Sequence, residues 1–338
     1  MTLPPLLDRP LDICVYGAGA IGGVLAATLT RAAGTGDLGR VTVIARGRHL
    51  DAMQRQGLRL RSPDGSHETI AVTATDDPAS LPRQDVVITA LKGHQIPPEA
   101  DRLAALMAPH ARILPVVNGV PWWYPIPDGA GGTKGVEEVD PGGVLWRTIG
   151  PERAIGSIAY LGASVPEPGL ISYDIAGYLD LGRLPGQDRG DVARIAALLE
   201  GAGWMIRQTE PFQNALWTKM MSNCSLNAVS AITRTSNGLN LKSQPIRDFT
   251  AAIMEEVRAI AAAEQAEIAM ATDKRLDLAG RNPEFKTSTL QDLEKGRPME
   301  IEPIFAAAVA VGRARGVPCP NLDLATEILR QVDRSLAS

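Results

Sequence analysis

Lys219, Asn223 and Asn227 stand at i, i+4 and i+8 in Asn214–Thr233, a stretch without proline whose apolar residues repeat with helical period. In an α-helix each such step drifts only about 40° around the axis and rises about 6 Å. The three residues therefore form one narrow polar stripe, flanked by Ser222 and Ser230 and backed by Leu216, Trp217, Met220, Met221, Leu226 and Val229. A solvated helix face normally carries several Glu, Lys and Arg residues. This one has asparagine, serine and a single lysine. Such a stripe suits a desolvated cleft that holds a small polar anion. A seam at a domain junction is the plainer alternative.

A second constellation lies near the N-terminus. Gly17-Ala18-Gly19-Ala20-Ile21-Gly22 follows the β-branched apolar run Ile13-Cys14-Val15-Tyr16 and precedes the helical pattern Gly23–Leu29. Strand, glycine turn and helix is the context a dinucleotide fingerprint requires. The glycines allow a tight turn, a close approach of backbone to pyrophosphate, and close packing of helix on strand. Free N–H groups of Ala20 and Ile21 at the helix start then face the phosphates. The next strand-like run, Val41–Ala45, ends in Arg46-Gly47-Arg48 where an NAD site carries an acid for the ribose hydroxyl. A guanidinium pairs bidentately with a 2′-phosphate that a carboxylate would repel. The cofactor expected is NADP(H); two solvated loop arginines would leave the choice open. Lys92 and Asn118 end two further apolar runs, Asp85–Lys92 and Ala111–Gly119. Strand ends of open α/β sheets face the ligand, so both residues are candidates for the cofactor crevice. Pro115 within the second run predicts an irregularity there.

The elements that position these groups divide the chain into two domains. Residues 1–209 read as an α/β, Rossmann-type domain of alternating strands and helices, closed by a helix over about Asp191–Ala202 and a strand at Trp204–Gln208. Residues 210–338 read as an all-α domain, with helical period over Asn214–Thr233, Pro245–Ala271, Thr287–Lys295, Glu302–Arg315 and Leu322–Leu336. Within the first of these, residues 121–150 turn rich in glycine and proline, headed by Trp122-Trp123-Tyr124. Such a stretch is either a flap over the substrate or a surface loop pinned by aromatic burial. The 338 residues carry a formal charge of −4, which gives no electrostatic case for nucleic acid or an anionic membrane. Cys14, Cys224 and Cys319 are too widely spaced to suggest a disulfide framework or a metal site. No apolar run approaches a bilayer span, and Met1–Pro5 lacks the features of a signal peptide, so the expected compartment is the cytoplasm.

In the order of these motifs the chain resembles the ketopantoate reductase family over nearly its whole length. The matching pieces are Gly17–Gly22, Leu91-Lys92 with Gln95, Asn118-Gly119, Leu216–Cys224 through Asn227, Ser288–Asp292, and Glu300-Ile301-Glu302, with twelve residues from Ser288 to Glu300. The resemblance implies a Rossmann domain followed by a helical domain like that of 6-phosphogluconate dehydrogenase. It also implies NADPH-dependent reduction of 2-dehydropantoate to (R)-pantoate, in pantothenate biosynthesis. On that basis Lys219 is the general acid, and Asn223, Asn227 and Ser288 hold the substrate carboxylate and hydroxyl. Glu300 accepts from the substrate 4-hydroxyl and helps fix Lys219, and Asn118 touches both nicotinamide ribose and substrate. Each has a plainer reading too: an acid near a helix start suits the macrodipole, and Ser288 beside Thr287 and Thr289 could only cap a helix. The elaboration Trp122–Gly150 departs from the family's pattern.

Other readings keep the cofactor and change the chemistry: reduction of another branched 2-oxo acid, a β-hydroxyacid dehydrogenase, or a non-catalytic NADP(H) sensor. A sensor has no use for Lys219, Asn223, Asn227, Ser288 and Glu300 together. His49, His67, His94 and His110 all precede the helical region, which argues against lactate- or malate-type dehydrogenases with their catalytic histidine. The sequence leaves the oligomeric state open, a homodimer included.

Overall fold

The structure, a computed structural model, describes residues 3–173, 177–187 and 189–337. Its chain begins β1 (Leu11–Tyr16), α1 (Ala20–Ala32), β2 (Leu38–Ile44) and α2 (Gly47–Gln56). β3 (Leu58–Arg61), β4 (His67–Ile70), β5 (Thr73–Thr75), β6 (Gln84–Thr89), α3 (Ala100–Leu106) and β7 (Met107–Pro115) follow. Five strands pair in parallel in the order β5-β2-β1-β6-β7. Both faces of a parallel sheet are covered, so its central strands are buried throughout, as β6 is. The order reverses between β1 and β6, where open α/β sheets bind ligands beyond the strand ends. Pro115 causes no break in the sheet. It is the last residue of β7, paired with Thr89, where a missing N–H costs no interior rung.

A second sheet of Ala163–Glu167, Leu170–Tyr173, β3 and β4 covers α1. Gly23 permits the contact, because a Cβ there would fall 2.5 Å from the Ile171 side chain. A third sheet, Gly156–Tyr160 with Tyr178–Gly182 and Met205–Gln208, continues from β7 through the Ile155 N–H, which donates to the Ile113 carbonyl at 2.9 Å.

Two compact units result: Met1–Val117 with Arg147–Phe212, and Asn118–Trp146 with Gln213–Ser338. The chain's last crossing lies close to the boundary expected after residue 209. Segment 118–146 differs from expectation, because it joins the helices rather than the Rossmann-type unit. Its aromatic head supplies the reason. Trp122, Trp123 and Tyr124 are each 2% exposed, and rings of that size dominate the packing of any segment that carries them.

The helical unit contains the helix Phe212–Ser222 from its second residue on, with Ala228–Thr233, Gln244–Ala263, Thr272–Gly280, Ser288–Glu294, Ala307–Ala314 and Pro320–Ala337. Two departures from the expected helices matter. The helix expected over 245–271 stops at Ala263, beyond which Gln265 turns left-handed at φ +57° and Arg258 takes the Ile268 and Met270 carbonyls. The stretch expected as one helix over 214–233 is interrupted by a π turn at Asn223–Asn227. Among the described residues, no helix is long and apolar enough to cross a membrane, and no cluster of His, Cys, Asp or Glu could hold a metal ion. All three cysteines are buried, and burial pushes the Cys14 thiol up to about 12 and that of Cys319 to about 11.

Candidate active site

In the Rossmann-type unit the glycine turn has the geometry a phosphate needs. Gly17 sits at φ +105°, and a Cβ there would meet the Leu91 side chain at 2.7 Å. Gly22 brings α1 against the turn, where a Cβ would lie 1.9 Å from the Gly17 carbonyl oxygen. Gly19 is the opposite case: it is exposed, with nothing within 4 Å of its missing Cβ. As the residue before α1 it brings no side-chain cap to the first N–H groups, including those of the half-buried Ala20 and Ile21. Donors at a positive helix end, opening onto free space, fit a bound pyrophosphate.

Arg46 leads into α2 from the end of β2, its side chain 61% exposed and 3.7 Å from the Glu99 carboxylate. Glu99 is otherwise committed: Tyr16 donates to it at 2.7 Å and Arg102 at 3.3 Å. Burial, reinforced by that carboxylate, pushes the Tyr16 phenol well up, so it remains a donor. The guanidinium of Arg46 is thus steered by an acid that sequence reading did not identify, since Glu99 lies in a distant segment with no motif. Lys92 follows β6 in a tight turn closed by its own N–H to the Gln95 side chain at 3.1 Å and the Gln95 N–H to its carbonyl at 2.8 Å.

The helical unit gathers the remaining candidates, and two π turns do the gathering. Lys219 lies on Phe212–Ser222, half-buried, and the helix runs directly into the π turn that begins at Asn223 and ends at Asn227. In a π turn hydrogen bonds run from i to i+5, so a step of four no longer overshoots a full turn. The sideways drift of an α-helical stripe is thereby reduced between Asn223 and Asn227, the latter 8% exposed. A second π turn, Glu302–Ala306, follows Glu300, and the two π turns pack together. Cys224 donates its thiol hydrogen to the Ile304 carbonyl at 3.2 Å. The neighbouring carbonyl, that of Pro303, accepts the Val120 N–H at 2.8 Å. Gly119, at φ +94°, makes this approach possible: a Cβ would lie 2.1 Å from the Pro303 oxygen. Asn118 is therefore carried to the segment just after Glu300.

Glu300 itself is held from both sides. Asp333 accepts the Met299 N–H at 3.1 Å, and Arg330 grips the Glu302 carboxylate with two bonds of 2.9 and 2.6 Å. Lys219 and Glu300 are both half-buried, and each is engaged by a neighbour. Ser288 opens a helix that packs on the first π turn, and it is exposed. The capping role falls to Thr287, whose hydroxyl accepts the Leu290 N–H at 3.3 Å.

Of the two readings of the aromatic segment, the structure shows pinning. Tyr124 donates to Glu264 at 2.7 Å and accepts from the indole N–H of Trp217 at 3.0 Å, with Arg315 on the other Glu264 oxygen at 2.5 Å. Trp217 is fully buried, two residues before Lys219. Burial first, then the Glu264 charge, raises the Tyr124 phenol well above its ordinary range, so it stays protonated. This chain of bonds was not foreseen, because nothing in local spacing links residues 124, 217, 264 and 315.

Comparison with known proteins matches the chain to two family models. Residues 13–186 match the model described as ketopantoate reductase PanE/ApbA, and residues 211–333 match its C-terminal counterpart. A curated 2-dehydropantoate 2-reductase of Mesorhizobium japonicum is 37% identical over 325 residues, covering 95% of this chain and 98% of the relative. Among solved structures, the 2-dehydropantoate 2-reductase of Methylococcus capsulatus superposes with a TM-score of 0.80 at 27% identity, covering 97% of this chain and 98% of that one. That of Geobacter metallireducens gives a TM-score of 0.80 at 28% identity over 95% of this chain and 99% of its own.

Proposed function

We propose that this chain, which belongs to the ketopantoate reductase family, reduces 2-dehydropantoate to (R)-pantoate with NADPH, a step of pantothenate synthesis. The observation that carries the reading is the pairing of two π turns, one after Lys219 and one after Glu300. Together they collect Asn118, Asn223, Asn227, Ser288 and Glu300 in a single unit. A solvated helix face or an ordinary seam has no need of such departures from α geometry, which cluster at functional sites.

When bound, NADPH supplies the hydride that reduces the 2-oxo carbon. The chain's residues supply charge, orientation and a proton. As the carbon–oxygen double bond is reduced, negative charge grows on oxygen, and the Lys219 ammonium stabilises it and donates the proton there. Asn223, Asn227 and Ser288 offer neutral donors to the substrate carboxylate and hydroxyl without adding competing charge. Glu300 accepts from the 4-hydroxyl and keeps Lys219 in place, while Asn118 serves both the nicotinamide ribose and the substrate. The N–H groups of the Gly17–Gly22 turn would hold the pyrophosphate, Lys92 would line the same crevice, and Arg46 would pair with the 2′-phosphate. Preference for NADPH over NADH belongs to this reading, as do a cytoplasmic location and a homodimer as the assembly to test. The reaction is tested by the loss of NADPH absorbance with 2-dehydropantoate set against a panel of other 2-oxo acids. The highest kcat/KM is expected for 2-dehydropantoate; faster turnover of another acid, or none with any, overturns the assignment.

A further inference from the structure

His49 is the third residue of α2, just past Arg46-Gly47-Arg48, and both of its ring nitrogens are engaged. The Gly169 N–H lies 2.9 Å from Nδ1. An N–H can only donate, so Nδ1 must carry a lone pair, and in a neutral imidazole Nε2 then carries the hydrogen. Nε2 stands 2.8 Å from the Ala18 carbonyl oxygen, an acceptor. One tautomer satisfies both contacts, and geometry alone selects it.

Ala18 is the second residue of the phosphate-facing turn, and its carbonyl shares a planar trans peptide with the Gly19 N–H. In such a peptide the C=O and N–H vectors point in opposite directions. Holding the Ala18 carbonyl on the imidazole therefore aims the Gly19 N–H away from it. Gly19 is exposed, and apart from its own chain neighbours nothing lies within 4 Å of where its Cβ would stand, so the turn is open at the residue that bears this donor. The far side of the ring is equally well supported. Gly169 sits at φ +76°, a Cβ there would meet Ala52 of α2 at 2.8 Å, and its carbonyl accepts the Arg59 N–H at 2.8 Å. His49 is braced from behind by a fixed backbone and presses forward on the glycine turn.

We propose that His49 is a positioning residue for the dinucleotide site: it locks the Ala18–Gly19 peptide with its donor outward, and it ties that turn to the loop bearing Arg46. The proposal rests on the reading that the Gly17–Gly22 turn binds NADPH. It acts on a residue that would touch the cofactor without itself touching it, as outer-shell partners of a binding site do.

The test compares His49→Leu, which removes both bonds, with His49→Gln, whose amide retains one donor and one acceptor. Dissociation constants for NADPH and NADH are measured by titration, with melting temperature and steady-state kinetics on the same samples. His49→Leu should weaken NADPH at least tenfold and raise its KM while kcat at saturating NADPH stays within about twofold, since the groups on the 2-oxo acid lie in the other unit. His49→Gln should recover most of the affinity. If His49→Leu binds NADPH as tightly as the unmodified chain, the proposal is overturned. It is equally overturned if both variants lose affinity only in step with melting temperature, the mark of a merely structural ring. An unmodified chain that binds neither nucleotide would show that the underlying cofactor reading, rather than the role of His49, is at fault.

Discussion

The two units present the groups proposed to face phosphate and substrate by opposite means. In the Rossmann-type unit the groups proposed to hold the pyrophosphate are backbone N–H donors, and their placement follows from where glycine stands. Gly17 must adopt φ +105°, Gly22 must lack a Cβ, and Gly19 must leave space. In the helical unit they are side chains, and their placement depends on where helices depart from regular geometry, at Asn223–Asn227 and Glu302–Ala306. A site made of backbone is written in residue type; a site made of side chains on irregular helices is written in long-range packing. The first tolerates changes of side chain that keep the turn, and the second should be sensitive to anything that shifts one π turn against the other.

The sharpest challenge to this contrast is Gly119→Ala. The substitution places a Cβ where the Pro303 oxygen lies 2.1 Å away and forces an alanine to φ +94°. Asn118 and Val120 must then draw back from the second π turn. A misplacement of about 1 Å at a catalytic site costs roughly 10²-fold, and a loss of that order in kcat/KM is expected here, with a much smaller fall in NADPH affinity from the displaced Asn118. Steady-state kinetics beside a nucleotide titration would show it. Equal losses in both would mean that the two units are not separable in this way.

Tyr124→Phe tests the support behind the Lys219 helix. Removing the hydroxyl leaves the Trp217 indole N–H and one Glu264 oxygen without that partner in a buried place. An unsatisfied buried group costs about 1–3 kcal/mol, which should appear as a lower melting temperature. The effect on kcat should be smaller than that of Gly119→Ala, because the link is two residues removed from Lys219. Arg46→Glu probes the other unit with the mildest expected change. It should erase an NADPH preference on the order of tenfold, about 1.4 kcal/mol, and leave turnover at saturating cofactor intact. Comparison of kcat/KM for NADPH and NADH decides it.

How far the sequence reached follows the same line. The parallel strands of the first half, the glycine turn and the place of Lys92 just past one of those strands were legible because buried parallel strands read as apolar runs and glycine marks special backbone. The residue types of the polar stripe were legible too, but its geometry was not. A 3.6-residue period treats Asn214–Thr233 as one helix, and nothing local announces that Asn223–Asn227 is wound as a π turn. Pro303 was visible in the chain, yet its carbonyl's partner, Val120, stands far away in sequence and only packing reveals it. The allegiance of residues 118–146 was missed for the same reason. Glycine and proline content signalled an irregular segment, while the fate of Tyr124 depended on Glu264 and Trp217. Thr287 and Ser288 show how fine the limit is: adjacent hydroxyls, of which one caps a helix and the other is left exposed.

The most direct measurement is the turnover of Lys219→Ala on 2-dehydropantoate, made on protein whose fold and NADPH affinity are checked in the same preparation. Lys219 is the sole charged residue of its polar stripe, so general-acid catalysis by this side chain predicts a normal fold, NADPH binding within about twofold, and kcat lower by roughly 10²-fold or more. Near-normal turnover by a well-folded, NADPH-binding Lys219→Ala would contradict it and leave the lysine as a residue of the helix alone.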